Sequence, residues 1–490
     1  MWILFVLAAV APAPILRGAS FERTSLEQSF FYFEENAGQA DAEVRYLIRG
    51  VRIHNYLTAN ALVLDSGYQQ STVKIRFSAE GSKVTAHPIE PWGGKLNRYE
   101  GAPLKSYRAI PAHRRVEYRG MHPNVKAIFG RVKNGLSLTF VVHAGGDPGQ
   151  LFLESGTPTS IEGDGTWRVR ATTHFYIWSV PKPRAWQASF GAWSPVEARY
   201  RHTEGEVRFE LGEYDRTRPL FVEVTIPLDS LPPAISRWDA DAAGNVYLAG
   251  SVSSSIPCRT TPGATHYCTD AFVAAVDSGG EPIFLTVLAG RREESALQIA
   301  WDGTSESVVM VGWSGSTDFP VTEGAYQSEN RGPFIGFPRY SSSMDGDCFV
   351  ARVDGRSGAL SRSTYFGGPE HDLPVAMALG GDGSVTLLLR TGKSLPTTAG
   401  AWMNSACEAC EPRAVARLDA TLSRLLLSTF VPSRTNGIAV HTDMSTYLAG
   451  SATEGAQTTP GALQSENAGG DDAYLVRLAP DGSGPIYATS

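Results

Sequence analysis

The chain has 490 residues, 42% of them hydrophobic and 19% charged, with a formal net charge of −7, 50 glycines and 30 prolines. That apolar content buries a sizeable core and excludes a disordered or fibrous chain. An acidic balance without dense Lys/Arg runs excludes the basic footprint of a nucleic-acid surface, so no nucleic-acid partner is expected. Gly and Pro interrupt the long helical patterns, so short strands joined by turns are predicted and the fold class is all-β.

In chain order, the N-terminus reads MWILFVLAAVAPAPILRGAS. Pro12, Pro14 and Arg17 break the apolar run before the ~20 residues that a membrane helix needs, and Gly18 and Ser20 form a small-x-small cleavage site before Phe21. The pattern predicts a signal peptide over 1–20 and a secreted or cell-surface protein. Because the leader lacks Lys and Arg ahead of its apolar run, an anchor that stays attached is the second reading. No later segment reaches the ~18 apolar residues of a membrane helix, so no span is expected after the leader is removed. Over 21–230 the alternation in VKIRFSA, LSLTFVV and EVRFEL is that of half-buried antiparallel strands and predicts a β-sandwich-like domain. IPLDSLPPAIS, with three prolines, reads as the linker that follows.

Residues 234–490 repeat. TTPGA begins at Thr260 and returns as VTEGA at Val321, TTAGA at Thr397 and TTPGA at Thr458, with spacings of 61, 76 and 61. DAFVAAVD from Asp270, DCFVARVD from Asp347, RAVARLD from Arg413 and DAYLVRLA from Asp472 keep the same order. Together they mark four units, at about 234–290, 291–368, 369–433 and 434–490. In the first unit SRWDA, NVYLAG, AFVAAV and PIFLTVL read as four strands, separated by the turn formers DAAGN, TTPG and DSGGEP. One sheet of that size leaves both faces apolar, so neighbouring units must stack, and radial stacking of four-stranded sheets is a β-propeller. The phrase YLAGS, at 247–251 and again at 447–451, recurs because each unit repeats the same strand. The third unit, GGDGSVTLLLRTG, lacks the phrase but retains a strand pattern. Four units stand at the low end of the ~4 to 8 blades of propellers, which leaves closure to side-by-side packing, to the N-terminal domain or to a second chain.

DAAGNVYLAGS, TTPGA, DAFVAAVD and STYFGG resemble the SBBP family of bacterial β-propeller repeats over residues 234–490. FEENAGQADAEVRYLIRG, VEYRGMHPNVKAIFG, LSLTFVVHAGGDP and ELGEYDRTRPLFVE resemble the uncharacterised β-rich domain that often precedes such repeats in bacterial surface proteins. The resemblance implies an exported propeller protein.

All five cysteines follow residue 257, and in an oxidising compartment they favour disulfides. Cys258 and Cys268 bracket a turn-rich loop and predict one staple; Cys407 and Cys410, in CEAC, predict a second, with free thiols and metal or redox work as the alternatives. Cys348 reads as buried packing. No HxxxH, HExxH, GxSxG or GxxxxGK[ST] pattern occurs, so no metal, cofactor or catalytic set is predicted.

Two groups remain as binding candidates. Asp241, Asp302, Gly380 and His441 end the first strand of successive units, so in a propeller the three polar side chains ring one mouth of the channel as a cation or sugar site; the alternative is that each closes its own turn. Unit two carries an insert of about fifteen residues holding Arg331, Phe334, Phe337, Arg339 and Tyr340. Arg and aromatic residues on a loop fit a platform for a protein or glycan, or packing over a sheet edge. The sequence thus favours a non-catalytic binding or surface-assembly module over an extracellular propeller hydrolase or lyase acting on a polymer, and it leaves the oligomeric state open.

Overall fold

The computed structural model describes residues 30–490, apart from 51–54, 66–71, 134, 172–176, 190–191, 204, 229–232, 254–257, 262–263, 267, 333–345, 407–410, 433, 453–456, 467–468 and 471. The predicted signal peptide and the centre of the proline-rich linker therefore lie outside the described residues. Among these residues the fold is all-β, with a single 3-10 turn at Pro148–Gln150, and no helix is long and apolar enough to cross a membrane.

The N-terminal half is where the expected sandwich gives way to another arrangement. Instead of two facing sheets, fourteen strands form one continuous, nearly closed ladder that runs from Ala192–Val196 at one edge to Ala198–Thr203 at the other. Unbroken pairing is the physical reason: Gly135–Val142, for example, pairs residue for residue with Leu220–Pro227. Leu136, Leu138, Phe140 and Val142 point inward, where they join Phe33, Phe77, Tyr118 and Phe129 in one core. A separate small sheet, Thr159–Ile161, Trp167–Arg170 and Ile177–Val180, adds Trp167 and Trp178 to that core. The sequence alternation is correct, but alternation cannot distinguish a sandwich from a sheet curled around itself.

The repeat half forms four antiparallel sheets, each built on four strands in the phase read from the sequence, with a separate small hairpin, Cys258–Thr261 and Ala264–His266, between the second and third strands of the first. Sheet I comprises Ala234–Ala240, Val246–Ser253, Thr269–Val276 and Pro282–Ala289, and sheet II Glu294–Asp302, Ser307–Ser314, Asp347–Asp354 and Leu360–Phe366. Sheet III comprises Leu373–Leu379, Val385–Arg390, Arg413–Leu418 and Leu425–Val431, so the degenerate unit keeps all its strands. Sheet IV comprises Thr435–Val440, Thr446–Ala452, Asp472–Leu478 and Pro485–Thr489. The first strand of each later sheet rests on the sheet before it. Period-2 geometry then gives each sheet two apolar faces: Val308 and Met310 of sheet II pack on sheet I, whereas Val309 and Val311 pack on sheet III. Cys348 fills this second layer, fully buried and free, while Cys268 is buried immediately before the third strand of sheet I. The side chain of Cys258, and Cys407 and Cys410 altogether, lie outside the described residues.

The glycine of the YLAGS phrase has a packing reason. Each first strand bulges near its start, and the glycine of the second strand faces that bulge: Gly250 opposite Ile235, Gly312 opposite Ala296, Gly450 opposite Thr435. A Cβ at Gly312 would collide with the Ser295 carbonyl and the Phe349 ring, both fixed parts of the sheet. Gly312→Ala should therefore destabilise the protein by about 1–3 kcal/mol, as overpacking does. A urea midpoint within error of the parent would show that the bulge can move aside.

The two halves are not separate bodies. A hairpin from the N-terminal half, Lys95–Glu100 and Lys105–Ile110, joins the outer edge of sheet I, with Lys95–Glu100 running parallel to Phe284–Ala289. It carries the buried residues Asn97 and Arg98 into the junction.

Candidate functional site

The sequence-derived polar ring resolves into three turn residues. The Asp241 carboxylate accepts the Ala243 and Asn245 backbone N–H groups, each at 2.9 Å, and the Tyr247 hydroxyl at 3.1 Å. Burial pushes this carboxyl up, but the donors, Asn245 foremost, outweigh it and hold it below the ordinary range. Asp302 takes the Arg352 guanidinium at 2.5 Å and the Ser305 hydroxyl at 2.8 Å, with the same net result. His441 Nδ1 stands 3.0 Å from Asp443 Oδ1 within its own turn. Among the described residues no group of three His, Cys, Asp or Glu side chains could hold a metal ion. Of the insert, Phe334, Phe337, Arg339 and Tyr340 lie outside the described residues. The Arg331 side chain is exposed, and its backbone N–H donates to Asp347 at 2.7 Å.

A different surface has the geometry of a binding site. The strands Arg184–Ser189, Ala192–Val196, Leu220–Pro227 and Gly135–Val142 turn one set of side chains inward to the core and leave the other set lining a groove of about 840 Å³. Trp186 and Phe221 are direct cross-strand partners and stack at 5.8 Å with their rings 3° from parallel. Trp193 stands edge-on to both, at 6.4 and 5.5 Å, and is 63% exposed. An indole left that open against two other aromatics is an apolar surface that the fold itself does not use.

Guanidinium groups flank the aromatics. Arg114, Arg115, Arg131 and Arg184 line the groove against two carboxylates, Glu90 and Glu223, so the lining carries a net charge of 4 − 2 = +2. Arg115 pairs with Glu90 at 2.9 Å, Arg184 with Glu223, and Arg114 with Glu281 of the sheet I turn at 3.0 Å. The Arg114 and Arg115 pairs are largely solvent-exposed, so they orient the guanidinium forks without consuming much binding energy, whereas Glu223 is mostly buried beneath an exposed Arg184. A second groove, of about 510 Å³ beside Arg76 and His122, has Arg76 paired with Glu154 and Arg208 with Glu206, and no exposed aromatic cluster.

None of the groove residues emerges from motif reading, because they are contributed by strands far apart in the chain. The available signal is local: Trp186 and Trp193 flank a Gly-containing hairpin at positions where a half-buried strand should turn polar residues outward. No curated protein matches the chain. Residues 33–223, which contain the whole lining of the groove, match a family described as a domain of unknown function, DUF7948.

Proposed function

We propose that the protein is an exported binding module that holds an acidic glycan in the groove of its N-terminal domain, while the repeat sheets act as the blades of an SBBP-type propeller scaffold. The observation that carries the reading is the cluster of exposed Trp193 with half-buried Trp186 and Phe221, bordered by four arginines. A flat indole offers a face to the apolar side of a sugar ring, and a guanidinium fork matches a carboxylate. The lining's positive excess, reduced to 4 − 3 = +1 when Glu281 beside Arg114 is counted, favours an acidic chain over a neutral one. The propeller reading rests on the four consecutive four-stranded sheets, each seated on its predecessor through its first strand, and on the repeat phrases. The leader pattern supports export.

Titration of the whole protein with polygalacturonate and with dextran, followed by calorimetry, tests this. Polygalacturonate should bind, more weakly as salt is raised, and dextran should not. Trp193→Ala should weaken binding at least tenfold, as loss of an aromatic anchor does, without lowering the melting temperature, because Trp193 is mostly exposed. Binding of dextran alone would overturn the acidic assignment, and binding of neither polymer would overturn the glycan reading.

A further inference from the structure

Each repeat sheet gives one face to the sheet that follows. In sheet I that face carries Tyr247, Ala249, Ala271 and Val273, all buried at 0–1% exposure beneath sheet II. The same positions in sheet IV are Tyr447, Ala449, Ala473 and Leu475, with the phrase YLAGS identical in the two sheets. Here Ala449 and Ala473 are exposed, and Leu475 is 39% exposed.

An arginine marks the same vacancy. Arg352 of sheet II donates to the Gly383 carbonyl in the first turn of sheet III at 2.7 Å, and Arg417 of sheet III donates to the Met444 carbonyl in the first turn of sheet IV at 2.9 Å. Gly383 and Met444 occupy one position of that turn, left-handed in both, with φ of 78° and 67°. Arg477 holds the equivalent place in sheet IV. It folds back over the Tyr447 ring at 5.6 Å and pairs with Asp443.

The complementary surface is exposed at the other end of the stack. Ile235 and Trp238 lie on the first strand of sheet I, cross-strand from Gly250 and Leu248, and so face away from sheet II. They are 40% and 59% exposed. Their counterparts in later sheets sit on the preceding sheet: Ala296 is 0% and Thr435 4% exposed, and Ile299, Met377 and Ile438 pack against the intersheet cores. Phe30, Tyr32 and Trp92 of the N-terminal half pack over this face of sheet I at its inner strands, leaving Ile235 and Trp238 of the first strand open.

We infer that a second copy of this chain docks head to tail, seating its strand Ala234–Ala240 on the open face of sheet IV. Trp238 of that copy covers Ala449 and Leu475, and Arg477 turns from Asp443 to the Gly244 carbonyl, whose residue holds the same left-handed turn position, φ 83°. The contact is heterologous, since each copy contributes a different surface to it.

Light scattering of the full chain over a concentration series tests the pairing. The parent should exceed 52.7 kDa and reach at least twice that mass. Leu475→Asp and Trp238→Asp should each hold the chain at 52.7 kDa with an unchanged melting temperature, both residues being exposed. An equimolar mixture of the two variants retains one intact contact and should form a one-to-one complex and nothing larger. A parent that stays at 52.7 kDa throughout, or a mixture that remains monomeric, would overturn the inference. Association abolished by Leu475→Asp but untouched by Trp238→Asp would also overturn it, in favour of two sheet IV faces meeting each other.

Discussion

Replacing Arg98 by Ala should lower the unfolding free energy by about 3–5 kcal/mol, the cost of removing one partner from a buried charge cluster. Arg98 is 2% exposed, and two fully buried carboxylates face it, Asp270 at 3.4 Å and Glu34 at 3.9 Å. Glu34 also pairs with Arg49 at 2.6 Å. The cluster sits where the N-terminal hairpin enters sheet I and ties Glu34 of the N-terminal sheet to Asp270 of the first repeat. Urea unfolding of the variant measures the loss. Arg98→Lys, which keeps the charge but not the fork, should recover only part of it. A change below ~1 kcal/mol, the range of exposed pairs, would show that the cluster is not the tie between the halves.

Acidification from pH 8 to pH 5 should stabilise the protein, against the common trend. Asp347 and Asp372 are 0% and 1% exposed in the layer where sheet II meets sheet III. Burial pushes Asp347 up to about 7, although it accepts the Arg331 and Gly332 backbone N–H groups and the Gln327 amide. Burial likewise pushes Asp372 up to about 6, against donation from the Thr391 hydroxyl and the Gly368 N–H. An unfolded chain releases these protons near pH 4. Between about pH 4 and pH 7 the native state therefore binds more protons than the unfolded one, and stability falls as pH rises, by a few kcal/mol in total. The opposite sign applies to Glu34: burial raises its carboxyl, but Arg49 and Arg98 outweigh that and hold it low, so its contribution is lost only as pH falls below the ordinary carboxylate range. Thermal unfolding at the two pH values checks the sign. Asp372→Asn, which can still accept from Gly368 and donate to Thr391, should flatten the slope. An equal or lower midpoint at pH 5 would refute the assignment.

The repeat half could be read from the sequence because its signals are local. A turn such as DAAGN and a strand such as NVYLAG each declare themselves within a few residues, and four copies average out the noise. Even the third unit folds as expected, since Val385, Leu387 and Leu389 supply the period-2 face without the YLAGS phrase. The N-terminal half is legible in the sequence as strands but not as one curled sheet, because sheet closure depends on pairings such as Phe152–Ser155 with Thr72–Arg76, which no short window contains. The groove was missed for the same reason: Arg115, Trp186 and Phe221 meet only after three distant strands align. Asp241, Asp302 and His441 attracted attention because they recur in register, yet recurrence at a turn is also what turn closure demands.

The parallel pairing of Lys95–Glu100 with Phe284–Ala289 also constrains how the chain reaches its native state. A strand made early, paired on one side with Lys105–Ile110, must keep its other edge open until a segment 284 − 95 = 189 residues downstream has emerged. During that interval its backbone donors and acceptors form a sticky template, the kind of edge that recruits wrong partners. Non-local closure of this sort is slow, and the last strand of the first repeat is what covers this open edge, so truncations ending before residue 289 should yield insoluble protein, not a smaller independent domain.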